Sequence, residues 1–327
     1  MQWNLGFEQA LGKNQTISAS YVAAAGRRLL RQETIRFGSP NFRNANFTSS
    51  AVISSNQATS DYRALQIQFE RRLARGLQAL ASYTWGRSVD TASNDSGESN
   101  VPDILSSVSN DRGPSDFDVR HTLSSGLTYN IPTPRIGSVG ETILSHWGVD
   151  SLFSARSATP LNVVMVMSTT NFGLYFFRPD LVANAPLYLT GSNIPGGRRI
   201  NPAAFALPTP GVNGSLPRNA LRGFPFWQLD LALRREFNLS ERVRLQFRAE
   251  AFNLLNHPNF GDPTATDLQA GIFVQSINLF QGPTATFGTS TNMLGRRLGA
   301  GGNSGGFNSL YQIGGPRSIQ LSLKFSF

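Results

Sequence analysis

Segments of about ten residues, in which every second side chain is apolar and those between are polar or charged, constrain this chain more than any other feature. The chain ends on one: Ile319, Leu321, Leu323, Phe325 and Phe327 alternate with Ser318, Gln320, Ser322, Lys324 and Ser326. Likewise Val243, Leu245, Phe247, Ala249 and Ala251 alternate with Arg244, Gln246, Arg248 and Glu250. A period of two belongs to a strand, whose successive side chains point to opposite faces of a sheet. A face this charged suits a water-filled lumen better than a sandwich core. Seven further segments read the same way, near 3–10, 15–23, 64–73, 77–85, 119–131, 146–155 and 226–237. Leu80 breaks the pattern on the polar face. Arg71, His121 and Arg235 break it on the apolar face, close to predicted strand ends where long side chains reach the headgroups.

The connections alternate in length. Leu11 to Asn14, Ala74 to Gly76, Pro132 to about Ser145, and Asn238 to Arg242 are short; 24–63, 86–118, 156–225 and 253–317 are long and rich in Ser, Asn, Gly and Pro. Outer-membrane barrels have short periplasmic turns and long extracellular loops. That orientation places Trp3, Tyr83, Trp85 and Trp227 at the outer interface and Tyr129, Trp147, Phe237, Phe325 and Phe327 at the inner one. The expected fold is therefore all-β: an antiparallel transmembrane β-barrel of the outer-membrane type. Nine strands beginning with a descending one cannot close with both ends in the periplasm. The expectation is that the chain is the C-terminal part of a barrel of about 22 strands.

Composition narrows the alternatives. No apolar run reaches the roughly 20 residues of a membrane-crossing helix. No cysteine is available for a disulfide or a thiolate metal site. The start, Met1-Gln2-Trp3-Asn4-Leu5, shows neither the basic nor the apolar region of a signal peptide. Net charge is +9 and almost entirely arginine, since Lys13 and Lys324 are the only lysines. The arginines form no block longer than a pair, which argues against nucleic acid as a partner and for scattered placement on polar strand faces or against anionic lipid.

Four stretches resemble the Oar-like barrels of TonB-dependent transporters. They are Trp3-Asn4-Leu5 with Ser20-Tyr21-Val22 and Gly26-Arg27-Arg28-Leu29-Leu30; Tyr62-Arg63-Ala64-Leu65-Gln66 with Gly76-Leu77-Gln78 and Ser82-Tyr83-Thr84-Trp85; Asp118-Val119-Arg120-His121; and the run from Phe247 through Asn253-Leu254-Leu255-Asn256-His257-Pro258-Asn259 to Phe260, with Gly314-Gly315-Pro316-Arg317. The resemblance implies uptake of a bulky nutrient across the outer membrane. It also implies energy delivered by a TonB-type partner through a plug domain that these residues do not include. Lipid bilayer and lipopolysaccharide are the implied surroundings. Strand Ile319, Leu321, Leu323, Phe325, Phe327 resembles the signal read by the outer-membrane insertion machinery, which can capture an exposed edge by strand addition. Gln228, Asp230, Arg244, Gln246, Arg248 and Glu250 are the candidate lumen contacts. A passive porin and a secreted soluble β-rich adhesin are the rival readings.

No enzyme chemistry and no cofactor is expected. His121, His146 and His257 are the only histidines and are not spaced as a metal pair. No G-x-S-x-G elbow occurs. The Gly-rich run from Gly295 to Gly306 lacks G-K-[ST] and reads as a flexible loop. Asp90, Asp95, Glu98, Asp103, Asp111, Asp116 and Asp118 gather in one loop. They suggest a calcium site, contact with a cationic or sugar substrate, or a solvated acidic loop; the D-x-[DN]-x-[DN]-G order is not met, and the solvated loop is the expectation.

Overall fold

The computed structural model describes residues 1–36, 50–93, 108–133, 137, 141, 143–169, 173–209, 213–240, 242–263, 272–276, 280–283, 287–294 and 313–327. Its main feature is one antiparallel wall whose strands follow chain order. They are β1 (Gln2–Ala10), β2 (Gln15–Arg36), β3 (Ser50–Ala74), β4 (Leu77–Asp90), β5 (His121–Asn130), β6 (Trp147–Arg156), β7 (Phe226–Asn238), β8 (Arg244–Phe252) and β9 (Ser318–Ser326). All nine segments with period-two patterning are strands of this wall. Among the described residues the sheet is open, with β1 and β9 at its edges.

The register carries the apolar face across the wall without a slip. Phe7 pairs with Ala19, Ala19 with Ile67, Ile67 with Tyr83, Tyr83 with Leu123, Leu123 with Ala155 and Ala155 with Trp227. Lower down, Leu127, Ser151, Leu231, Ala251 and Ile319 form another row. A slip of one residue would exchange the faces, so burial of one face in lipid fixes the pairing. Large apolar side chains on this face are uncovered: in these rows Phe7 is 63%, Leu127 40% and Ile319 72% exposed. An apolar surface of this extent is untenable in water but is the lipid-facing band of a membrane barrel. From His121 to Tyr129 of β5 the strand rises about 27 Å, which a tilt near 40° turns into a height of roughly 20 Å, close to the apolar band of a barrel.

The short turns are built for tight reversal. Arg75 and Gly76 both have positive φ, 52° and 79°, in the two-residue turn that joins paired Ala74 and Leu77. A Cβ on Gly76 would lie 2.5 Å from the carbonyl oxygen of Asn130, so only glycine fits. At the inner boundary the guanidinium of Arg235 lies between the Trp147 and Phe237 rings, 5.3 and 4.5 Å from their centroids. Cation–π contact thus accounts for one sequence exception. Another, His121, stacks on Tyr83 and pairs with its hydroxyl at 2.8 Å.

The long connections differ from the expectation of irregular loops. Strands β2 and β3 continue far past 24–63's expected loop boundaries, pairing from Leu29 with Ala58 to Arg36 with Ser50. Register shifts around Gly26, Leu29 and Arg31, with Arg28 at φ 55°, break the alternation there. Outside the bilayer neither face meets lipid, so nothing maintains an apolar period. Within 86–118, β4 runs on to Asp90 and is joined by Gly113–Pro114. The 156–225 connection folds into small paired strands: Pro160–Leu161 with Leu221–Arg222, Val164–Thr169 with Gly173–Phe177, Asp180–Leu181 with Phe205–Ala206, and Tyr188–Thr190 with Arg198–Ile200. Ile272–Ser276 from 253–317 adds a parallel strand to Val164–Thr169. These pieces enclose a core of Val163, Met165, Phe177, Ile200, Phe205, Leu216, Leu221 and Phe287. They form a folded cap on one end of the wall. The Gly-rich run at 295–306 lies outside the described residues.

Candidate functional site: the charged wall face and its cap

The face opposite the lipid band is a field of paired charges. Alternation along β6, β7 and β8 brings Asp150, Arg234 and Arg248 side by side, since Ala232 pairs with both Asp150 and Glu250, and Arg234 with Arg248. Arg248 donates to Asp150 at 2.5 Å and to Glu250 at 2.8 Å. Arg234 lies 3.4 Å from Asp150 and also donates to the Asn130 side-chain oxygen. Gln246 donates to Glu236 at 2.9 Å. Two arginines directly opposite each other would repel; Asp150 between them offsets that.

All six candidate lumen residues lie on this face, with different engagements. Arg248 and Glu250 line an open pocket of about 380 Å³ with Asp150 and Asp230. Arg244 and Gln246 lie nearer the short turns. Gln228 is buried, its side-chain carbonyl accepting from the Gly314 backbone at 2.8 Å and its amide donating to Asp230. Asp230 accepts from the backbone N–H of Asn253 at 2.8 Å. Those two therefore anchor the loops entering and leaving the outer end of the wall.

The pocket also has an apolar floor. Leu80 pairs with Gly126, and Gly126 with Leu152, so both leucines flank a residue without a side chain. Leu80 is 46% and Leu152 51% exposed on an otherwise polar face. Leu80 was visible in the sequence as an exception; Leu152 was missed because its strand carries Asp150, Leu152 and Ser154 on that face and reads as weakly patterned. Together they place an apolar patch beside the Asp150–Arg248–Glu250 cluster.

Among the described residues of the acidic loop, three carboxylates are buried rather than solvated. Asp90, Asp111 and Asp118 are at most 2% exposed, and each is held by arginine. Arg31 and Arg178 both pair with Asp111, the latter at 2.9 Å. Arg218 pairs with Asp90 at 2.6 Å and Asp116 at 3.3 Å, and Arg222 with Asp118 at 2.6 Å. Burying a carboxylate is tolerated only when it is paired and hydrogen-bonded. Apart from Arg120, 3.0 Å from Asp118, the arginines come from β2 and from the 156–225 connection, more than fifty residues away in the chain, so no local pattern could announce them. Among the described residues no group of His, Asp and Glu is arranged to hold a metal ion. Asp95, Glu98 and Asp103 lie outside the described residues.

The most specific sequence motif turns out to be a staple. Asn253, 1% exposed, donates to His257 O and Gly315 O at 2.9 and 2.8 Å and accepts from His257 N. Asn259 accepts from the backbone N–H of Trp227 at 3.1 Å. His257 stacks on Trp227 with ring centroids 4.1 Å apart, and burial holds its pKa below the usual imidazole value. The motif thereby ties the outer ends of β7, β8 and β9 together.

A lipid-exposed apolar face, a charged opposite face and aromatic rows at both boundaries define a membrane β-barrel wall. The sequence profile described as outer membrane beta barrel domain matches residues 1–299, and the chain belongs to that family. Its place is the outer membrane. Among solved structures, the outer membrane transporter YddB from Escherichia coli is similar, with a TM-score of 0.48 and 11% identity, covering 82% of this chain. The chain spans 30% of that structure's length. No curated protein sequence matches.

Proposed function

We propose that this barrel carries a bulky nutrient across the outer membrane as part of a TonB-dependent transporter of the Oar-like kind. The observation that carries the reading is the pocket on the charged wall face, where Asp150, Arg248 and Glu250 adjoin Leu80 and Leu152. A ligand with both charged and apolar groups, as a peptide has, matches that lining, because polar groups fix orientation while apolar contact supplies affinity. The resemblance of the Phe247–Phe260 stretch supports the transporter family. The paired loops of the cap would capture substrate, a plug domain would couple to the energiser, and β9 would be the strand captured by the insertion machinery. Lipopolysaccharide would surround the outer half of the wall. Binding and passage suffice, with no covalent step.

The test is accumulation of a fluorescently labelled oligopeptide by cells making the intact gene product, with and without a protonophore. Accumulation that collapses on de-energisation supports the proposal. Accumulation indifferent to the protonophore would make the protein a passive pore.

A further inference from the structure

The lipid-facing side of the wall carries an arrangement of charge that its own residues do not balance. Arg63 of β3 and Arg87 of β4 are register partners, both exposed. Like charges placed directly opposite on one face destabilise a sheet. Among the described residues neither guanidinium has an ion-pair partner. The next residue outward on the same face of β3 is Asp61, but its two oxygens are taken by Arg27 at 2.6 Å and Arg112 at 2.7 Å. Four guanidiniums thus face one carboxylate.

Depth decides what could balance them. The Arg63–Arg87 pair lies one pair beyond Leu65–Trp85 on the apolar face. Tyr21 pairs with that same Leu65, and Trp85 pairs with His121. Two residues along a strand is about 6.6 Å. The arginines therefore lie just outside the aromatic row, at headgroup height, on the cap side of the wall. Below them, Tyr21 and Trp85 are exposed where acyl chains pass. Guanidinium forks match phosphate oxygens in pairs.

We propose that Arg63 and Arg87, with Arg27 and Arg112 behind them, form a clamp for the phosphates of an outer-leaflet glycolipid headgroup. The apolar strip below would take its acyl chains. A soluble anion would gain the arginines but not the strip, and a headgroup with a single phosphodiester would satisfy only part of the cluster. The inference stands on the wall being in the outer membrane, whether or not the barrel imports a nutrient.

The experiment is native mass spectrometry of the intact protein in mild detergent, titrated separately with diphosphorylated lipid A, the same lipid stripped of phosphate, phosphatidylglycerol and inorganic phosphate. The expected result is retention of the diphosphorylated lipid alone. R63Q/R87Q should weaken it about tenfold per arginine, while R242Q, in an exposed short turn at the far end, leaves it unchanged. Heat-modifiable mobility on gels reports whether each variant is folded, and the stripped-lipid comparison on the unaltered protein needs no variant. Equal binding of stripped lipid or phosphatidylglycerol, displacement by inorganic phosphate, or unchanged binding by folded R63Q/R87Q would overturn the proposal.

Discussion

Replacing Asp111 by alanine removes a carboxylate shared by two buried guanidiniums. Asp111 and Arg31 are fully buried and Arg178 is 3% exposed. Removing one member of a buried ion pair costs about 3–5 kcal/mol, because the remaining charge loses its partner away from water. Arg31 keeps Glu33 at 2.6 Å and the Thr91 carbonyl at 2.9 Å, which places the loss near the lower end, about 3 kcal/mol. The loss falls on the cap, since Asp111 ties β2 to the cap through Arg31 and Arg178. Hydrogen exchange followed by mass spectrometry reads this directly. Amides closing the cap, such as Gly214 to Arg178 O and Val182 to Ala204 O, should exchange roughly a hundredfold faster in D111A. Wall amides of β6 and β7 should not change. Unchanged cap exchange, or equal acceleration in the wall, would refute the view that buried ion pairs hold a cap separable from the barrel.

Gly76→Ala should destabilise the folded barrel by about 1–3 kcal/mol, seen as a lower urea midpoint, because its φ is 79° and a Cβ would strike Asn130 O. Arg112 and Arg27 hold the Asp61 carboxyl below its usual pKa of 3.8. Their contribution is therefore complete above pH 3.8 and lost as pH falls through the lower folded value; R112Q should shrink that acid dependence in exchange of the β2–β3 ribbon. Burial lowers the His257 pKa below 6.5, so docking of the staple is strongest above pH 6.5 and weakens as pH falls toward the folded value. Trp227 fluorescence should follow this titration, and H257F should abolish it. If the pocket binds cargo, L152D should cut peptide accumulation several-fold while the assembled amount on gels stays constant.

What the sequence disclosed follows from where lipid acts. In β8 the bilayer demands an apolar side chain at every second position, so Leu245, Phe247 and Ala249 reveal strand, register and facing at once. The charges opposite were legible for the same reason. In the cap no such external demand exists: Val163, Phe177, Leu216 and Phe287 meet from distant segments around a core without a period. The acidic loop misled because Asp111 and Asp118 look solvated until Arg178 and Arg222, remote in sequence, are brought to them. The β2–β3 ribbon misled differently, since its bulges near Gly26 and Leu29 shift the register just where the membrane ends. The alternation of Gln228 and Asp230 with apolar neighbours was legible, yet their hydrogen bonds to Gly314 and Asn253 needed the folded loops to be seen.

The absence of native cysteine allows the decisive measurement without background labelling. Single cysteines at successive positions from Arg244 to Ala251, each carrying a nitroxide, would be read for collision with oxygen and with a water-soluble nickel complex in a bilayer. A barrel wall predicts strict alternation: oxygen at Leu245, Phe247, Ala249 and Ala251, nickel at Arg244, Gln246, Arg248 and Glu250. Uniform nickel access along β8, or alternation of the opposite phase, would contradict the membrane wall itself.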